Sequence, residues 1–218
     1  MEYEEGEDRW AFTVHTGSRS LGTKVFNKWD RVAKCNGGYL SGEALKGYLT
    51  DMVITQAYAK YNRKLILDKA AEIMHKINGA KVDGIIGTTH NYLDFQDLVI
   101  RKGAIRSYAG ELVVIPFNMR DGIAIAEGLS NEDWNFSAPH GSGRVMSRTS
   151  ARRNLTMKGF KQEMQGVYST CITPDTLDES PSAYKLTQKI LNALAPTCRV
   201  LYILKSKINL KATNNGNL

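Results

Sequence analysis

Two stretches decide the fold class of this chain. Gly110-Glu111-Leu112-Val113-Val114-Ile115-Pro116 is followed, after the link at 117–121, by Gly122-Ile123-Ala124-Ile125-Ala126. Each is a short apolar run bounded by glycine and too short for a helix, so the pair reads as two strands around a tight connection. Upstream the pattern is different. Leu45, Leu49, Met52, Val53, Gln56, Ala57 and Tyr58 keep helical spacing after Ser41 and Glu43. That helix is expected to run on through Leu65-Ile66-Leu67 to Met74 and to stop near Asn78-Gly79.

Working outward, further strands are expected at 10–14, ending in a tight turn over His15 to Gly22, and at 84–92, 97–101 and 200–204. Helices are expected at 156–165, capped by Thr156, and at 182–193. Helices and strands do not alternate as βαβ units, and no repeat is visible. The expected class is α+β, with mixed sheets and flanking helices, and residues 1–218 are expected to form a single region.

The 218 residues are 42% hydrophobic, enough for a sizeable core. Their formal net charge of +7 favours a polyanionic partner such as RNA, DNA or nucleotides. Cys35, Cys171 and Cys198 are widely spaced, odd in number and without a C-x-x-C pair, which argues against a disulfide framework and for a reducing, cytoplasmic setting. The opening Met1-Glu2-Tyr3-Glu4-Glu5-Gly6-Glu7-Asp8 is acidic and lacks the apolar segment of a signal peptide. No apolar run is long enough to span a bilayer, so no membrane is expected.

Four histidines carry most of the chemical interest. His75 lies among Met74, Lys76 and Ile77 and reads as a helix-surface side chain. His15 and His90 each follow an apolar strand-like run that could hold an imidazole rigidly, as metal ligation requires. Loop histidines without a ligand are the simpler reading from spacing alone, and two imidazoles are too few for a closed metal site. His140 sits in Ser137-Ala138-Pro139-His140-Gly141-Ser142-Gly143-Arg144. Gly141 and Gly143 let backbone N–H groups approach an anion, and Arg144 and Arg148 can neutralise phosphate. A neutral imidazole there can attack an α-phosphorus to give a phosphoramidate; the alternative is a glycine-rich turn with a solvated histidine. Lys102 and Lys211 could reach phosphate or a base carbonyl, but a lone lysine is ordinarily a solvated group.

Several separated motifs, in order, resemble the RtcB family of RNA-splicing ligases. They are His15-Thr16-Gly17-Ser18-Arg19-Ser20-Leu21-Gly22, then Tyr48-Leu49-Thr50-Asp51-Met52 with Gln56-Ala57-Tyr58-Ala59 and Asn62-Arg63. His90-Asn91-Tyr92 follows with Ile100-Arg101-Lys102-Gly103-Ala104, then Ile115-Pro116-Phe117-Asn118-Met119-Arg120-Asp121-Gly122, and the His140 block. Gly166-Val167-Tyr168-Ser169, Leu177-Asp178-Glu179-Ser180-Pro181, Ala183-Tyr184-Lys185 and Asn209-Leu210-Lys211-Ala212 complete the set.

This resemblance implies a GTP- and manganese-dependent ligase that joins RNA 3′-phosphate or 2′,3′-cyclic phosphate ends to 5′-hydroxyl ends through a GMP–histidine intermediate. On that reading His140 takes GMP from GTP, and His15 and His90 ligate manganese. Asn91, Pro116, Asn118, Met119, Gly141, Ser142, Gly143, Tyr184 and Lys211 surround the guanosine, and Arg19 and Arg148 bind phosphates. Ser142 stands where alanine is usual in the family, and Asn118 where many members have serine. The family's upstream segments, which supply an aspartate, a bridging cysteine and an Asn-His-Phe run, have no counterpart here. The chain thus resembles the C-terminal half of a member, and a separately encoded N-terminal half is an expected partner beside RNA and GTP. Two competing readings remain: a non-catalytic guanine-nucleotide- or RNA-binding remnant, and a decayed fragment.

Overall fold

A computed structural model of the chain describes residues 10–211. The acidic start at 1–8 and the Asn214-Asn215-Gly216-Asn217 tail lie outside them. The described chain forms two compact units that meet in sequence between Ile85 and Ile86.

The first unit is helical. Helix α1 spans Arg19–Cys35 and α2 spans Gly42–Asn78. The ends of α2 fall where the sequence places them, after Ser41 and before Gly79, whose N–H donates to the His75 carbonyl at 2.8 Å. The two helices pack through Trp29, buried edge-on to Tyr48, whose indole N–H donates to Asp51 at 2.7 Å. Lys28 adds an ion pair to the same carboxylate at 2.9 Å.

Two expectations fail in this unit. Residues 10–14 form no strand, and Trp10 and Phe12 are exposed. An isolated extended segment leaves its backbone groups unpaired, and among the described residues of the unit no strand is available to pair with it. Residues 19–22, read as part of a tight turn, are the first turn of α1. Leu21, Val25, Trp29 and Val32 do keep helical spacing, so the signal for α1 was present in the sequence.

The second unit is α+β, as expected. Its strands are β1 (His90–Asp94), β2 (Val99–Arg106), β3 (Leu112–Pro116), β4 (Ile123–Gly128), β5 (Ser137–Pro139) and β6 (Cys198–Leu204). They form two antiparallel three-stranded sheets, ordered β1-β2-β5 and β3-β4-β6. Alternation along β3 and β4 sends Val113, Ile115, Ala124 and Ala126 inward, where they meet Ile105 of β2, Ala138 of β5 and Cys198 of β6. Helix α5 (Thr187–Leu194) closes this core with Ile190 and Leu194. Ile105 and Ile115 are wholly buried, each worth about 2–3 kcal/mol relative to exposure.

Helices α3 (Arg148–Asn154) and α4 (Met157–Glu163) follow β5. The Thr156 hydroxyl caps α4 by accepting the Gly159 N–H, as its sequence position suggests. Phe160 and Met164 join Met119 and Leu177 in a second, smaller core. The helix expected from residue 182 begins only at Thr187. Pro181 starts a 3-10 turn over Pro181–Ala183, and Tyr184 is extended against Arg144. Strand β1 starts later than expected, at His90, although the Thr88 hydroxyl already accepts the Val114 N–H at 2.9 Å.

Candidate active site

The β1-β2-β5 sheet brings two of the candidate histidines together. His90 opens β1 and pairs with Ile105 of β2, while Ala138 in the middle of β5 pairs with the same Ile105 from the other side. His140 follows β5 by one residue. Its N–H donates to the Gly103 carbonyl at 3.3 Å, and the His90 and His140 rings lie 4.5 Å apart with planes tilted by 32°.

Asn91 makes this approach possible. It holds φ at +54° and sits where the β1–β2 register slips, so it acts as a bulge that re-aims His90. Its side-chain oxygen accepts the Gly103 N–H at 2.7 Å. Gly103 itself has φ +69°, and a Cβ there would lie 3.6 Å from His140 Cδ2. Asn91 thus ties Gly103 of β2, whose backbone lies against the His140 ring, to the start of β1.

Burial, and then the nearby His90, push the His140 pKa below its ordinary value, so the imidazole is neutral at pH 7. Its Nδ1 is buried without a hydrogen-bond partner, as is the Ser142 hydroxyl two residues on. Between them the chain passes close to β3. Gly141 has φ +153°, a Cβ on it would lie 2.5 Å from the Pro116 carbonyl oxygen, and the Ser142 N–H donates to that same oxygen at 3.0 Å. Pro116 therefore shapes this loop through its carbonyl.

The loop leads on to the other expected nucleotide contacts. Gly143 accepts the Lys185 N–H at 2.9 Å, and Arg144 lies against Tyr184, its guanidinium 4.9 Å from the ring centroid. The Tyr184 hydroxyl accepts from Arg144 at 3.1 Å and donates to Glu179 at 2.6 Å. Lys211 reaches the same Glu179 oxygen at 3.3 Å. Arg148 bridges Asp178 at 3.0 Å and Glu179 at 3.1 Å, and Arg152 also pairs with Asp178. Tyr184, Lys211 and Arg148 are thus gathered around one acidic pair, Asp178 and Glu179. Neither carboxylate stands out in the sequence as a site residue, because the partners that give them meaning are distant along the chain.

Two expected guanosine neighbours are engaged elsewhere. The Asn118 side chain closes its own loop, accepting the Arg120 and Asp121 N–H groups and donating to the Asp121 carboxylate. Met119 is buried in the smaller core. Met119 could therefore meet a ligand only through its backbone. His15 and Arg19 belong to the first unit and are both exposed. The segment carrying His15 is tied to α2 by Arg63, which donates to the Thr16 carbonyl at 3.1 Å. His75 lies on the surface of α2, as its sequence setting suggests.

The donor set for manganese does not close. Among the described residues no group of three or more His, Cys, Asp or Glu side chains is arranged to hold a metal ion. No described helix is long and apolar enough to cross a membrane.

The family described as tRNA-splicing ligase RtcB matches residues 2–212 of this chain. The chain belongs to the RtcB family. It is 26% identical to the RNA-splicing ligase RtcB of Escherichia coli K12, over 95% of its own length and 57% of that protein. It is 28% identical to the tRNA-splicing ligase RtcB of Archaeoglobus fulgidus, over 83% of its length and 47% of that protein. The Mycobacterium tuberculosis RNA-splicing ligase RtcB is 24% identical over 83% of this chain and 51% of its own length. The chain thus spans about half the length of these RtcB relatives.

Proposed function

We propose that this chain carries the nucleotide-transfer half of an RtcB-type RNA ligase and that His140 is its nucleophile. The observation supporting this most is the state of His140. Its ring is neutral, held against His90 and beside Gly103, and next to a loop whose backbone approaches β3 closely. A neutral imidazole has a lone pair for phosphorus, whereas an imidazolium has none.

In the first step that lone pair attacks the α-phosphorus of GTP. The N–P bond forms, the bond to the β-phosphate bridging oxygen breaks, and its electron pair leaves with pyrophosphate. The other ring nitrogen gives up its proton to solvent. An oxygen of an RNA 3′-phosphate then takes the GMP group; the N–P bond breaks, its electron pair returns to the imidazole, and the ring regains from solvent the proton it gave up. A 5′-hydroxyl attacks the activated 3′-phosphorus, loses its proton to solvent, and expels GMP as the new phosphodiester forms. Ends that carry a 2′,3′-cyclic phosphate are first opened by water.

Tyr184 and Lys211 would hold the guanosine, the Gly141 to Gly143 backbone would meet phosphate, and Arg148 would contact RNA or the leaving pyrophosphate. Each of these is near a loop or turn that fixes it, as transfer chemistry requires. Manganese would need ligands from beyond the described residues, supplied by further chain length or by a partner carrying the family's N-terminal half. The net charge of +7 suits an RNA partner.

An end-joining assay tests the proposal. The chain, with and without an added N-terminal half of a relative, is incubated with GTP, manganese and RNA bearing 3′-phosphate and 5′-hydroxyl ends. Joined product that depends on GTP and is lost in His140→Ala is expected. Joined product that persists in His140→Ala, or its absence even with the added half, would overturn the reading.

A further inference from the structure

Glu179 is the point at which the expected nucleotide contacts converge. One of its carboxylate oxygens accepts the Tyr184 hydroxyl at 2.6 Å and faces the Lys211 ammonium at 3.3 Å. The other lies 3.1 Å from Arg148 and 3.7 Å from Arg144. The Glu179 side chain is only 13% exposed, so its contacts with the half-buried Tyr184 and Arg144 are screened little by salt, whereas the more exposed Arg148 is screened more.

We propose that Glu179 is the positioning residue of the guanosine pocket, setting Tyr184 and Lys211 in register for the base. The inference rests on reading Tyr184 and Lys211 as nucleotide contacts. The hydrogen-bond directions make the role specific. Arg144 donates to the Tyr184 hydroxyl, and that hydroxyl donates its only proton to Glu179, so Tyr184 meets a ligand by its ring and not by its O–H. Lys211 gives one direction of its ammonium to Glu179 and keeps two N–H bonds for a base carbonyl. Lys211 lies outside any described helix or strand; its carbonyl accepts from the Cys171 thiol at 3.0 Å, which fixes the backbone, and Glu179 orients the ammonium. Burial alone would raise the Glu179 pKa, but the Tyr184 hydrogen bond, Lys211 and Arg148 outweigh it and keep the carboxylate charged.

The test is a double-mutant cycle on GTP binding, read as Kd on the full chain so that no catalysis is needed. Glu179→Gln keeps the shape and an acceptor for Tyr184 but removes the charge that orients Lys211. It is expected to weaken GTP about ten-fold alone and less than about two-fold in a Lys211→Met background. A merely structural loss would weaken both backgrounds alike. A tyrosine titration, differenced against Tyr184→Phe, gives a second readout: the Tyr184 pKa should fall in Glu179→Gln. Equal weakening in both backgrounds, no weakening with Glu179→Gln while Lys211→Met does weaken GTP, or an unmoved Tyr184, each overturns the role of Glu179. If the unaltered chain and Lys211→Met bind GTP equally, or neither binds, it is the nucleotide reading of Tyr184 and Lys211 that fails.

Discussion

Replacing Gly141 by alanine probes the join between the nucleophile loop and β3. The added Cβ would sit 2.5 Å from the Pro116 carbonyl oxygen, inside the 3.0 Å that real Cβ atoms essentially never breach. That oxygen cannot rotate away, because it belongs to the last residue of β3, which pairs with Ile123, and accepts the Ser142 N–H at 3.0 Å. Relief means losing the Ser142 bond, about 1 kcal/mol, on top of a backbone angle of +153° that costs about 1 kcal/mol for any residue with a Cβ. Residual overpacking adds about 1 kcal/mol. The sum is about 3 kcal/mol, or roughly a hundredfold at about 1.4 kcal/mol per factor of ten. Amide exchange in the β3–β4 ladder reads this directly, since the most protected amides there report the opening of that unit. Gly110→Ala is the control: its φ is +81° but nothing lies within 4 Å of the added Cβ, so only the backbone cost of about 1 kcal/mol applies. If Gly141→Ala exchanges no faster than Gly110→Ala, the carbonyl contact does not hold the loop and the argument fails.

Other consequences follow from the same geometry. Arg101 is buried between Asp94 at 2.6 Å and Asp97 at 2.9 Å and also donates to the Ser137 hydroxyl, clamping β1, β2 and β5 beneath the histidines. Arg101→Met should cost about 3 kcal/mol in urea unfolding, because it takes from Asp94 and Asp97 their closest cation and leaves only Arg106, at 3.6 and 3.2 Å; a loss below about 1 kcal/mol would show that the clamp is not formed. Asn91→Ala removes the acceptor of the Gly103 N–H and should cost about 1 kcal/mol while broadening or shifting the His140 ring signals in NMR; unchanged signals would contradict the role given to Asn91. Glu179 has a folded pKa below its unfolded value, so its contribution is full above the unfolded pKa and is lost as pH falls through the folded one. Stability should therefore decline as pH drops below about 4.5, and Glu179→Gln should flatten part of that decline; an unchanged acid limb would count against the network.

Strands β3, β4 and β6 were legible because their signal is local, whereas β5, only three residues long, was not expected. Alternating burial along β3 and β4 follows the sequence pattern directly, and glycine marks the near end of each run. The extended reading of residues 10–14 failed for a non-local reason, since a strand exists only where a neighbour accepts its hydrogen bonds. Residues 19–35 hold a helical pattern, but His15-Thr16-Gly17-Ser18 draws attention to a turn and hides the helix that starts within the motif. Helix α3 is mostly polar, Arg-Thr-Ser-Ala-Arg-Arg-Asn, and is held by the Ser147 cap and by Arg152 on Asp178. No hydrophobic period announces it.

In the site, His140 was legible by the glycines and arginines around it, whereas His90 opens β1 and does not follow a strand at 84–89, and their 4.5 Å approach depends on the bulge at Asn91. Glu179 was hidden for a different reason. A carboxylate in a 3-10 turn has no signature until the fold brings Lys211, Tyr184 and Arg148 to it. Asn118 shows the reverse case, a polar side chain beside a motif that the structure uses for its own loop.

The measurement that tests the central claim most directly is covalent labelling. The full chain, supplied with manganese, α-labelled GTP and the family's N-terminal half, should acquire an acid-labile label that peptide mapping places on His140 and that His140→Ala abolishes. A label on another residue, a label that survives His140→Ala, or no label with the added half present would contradict the account.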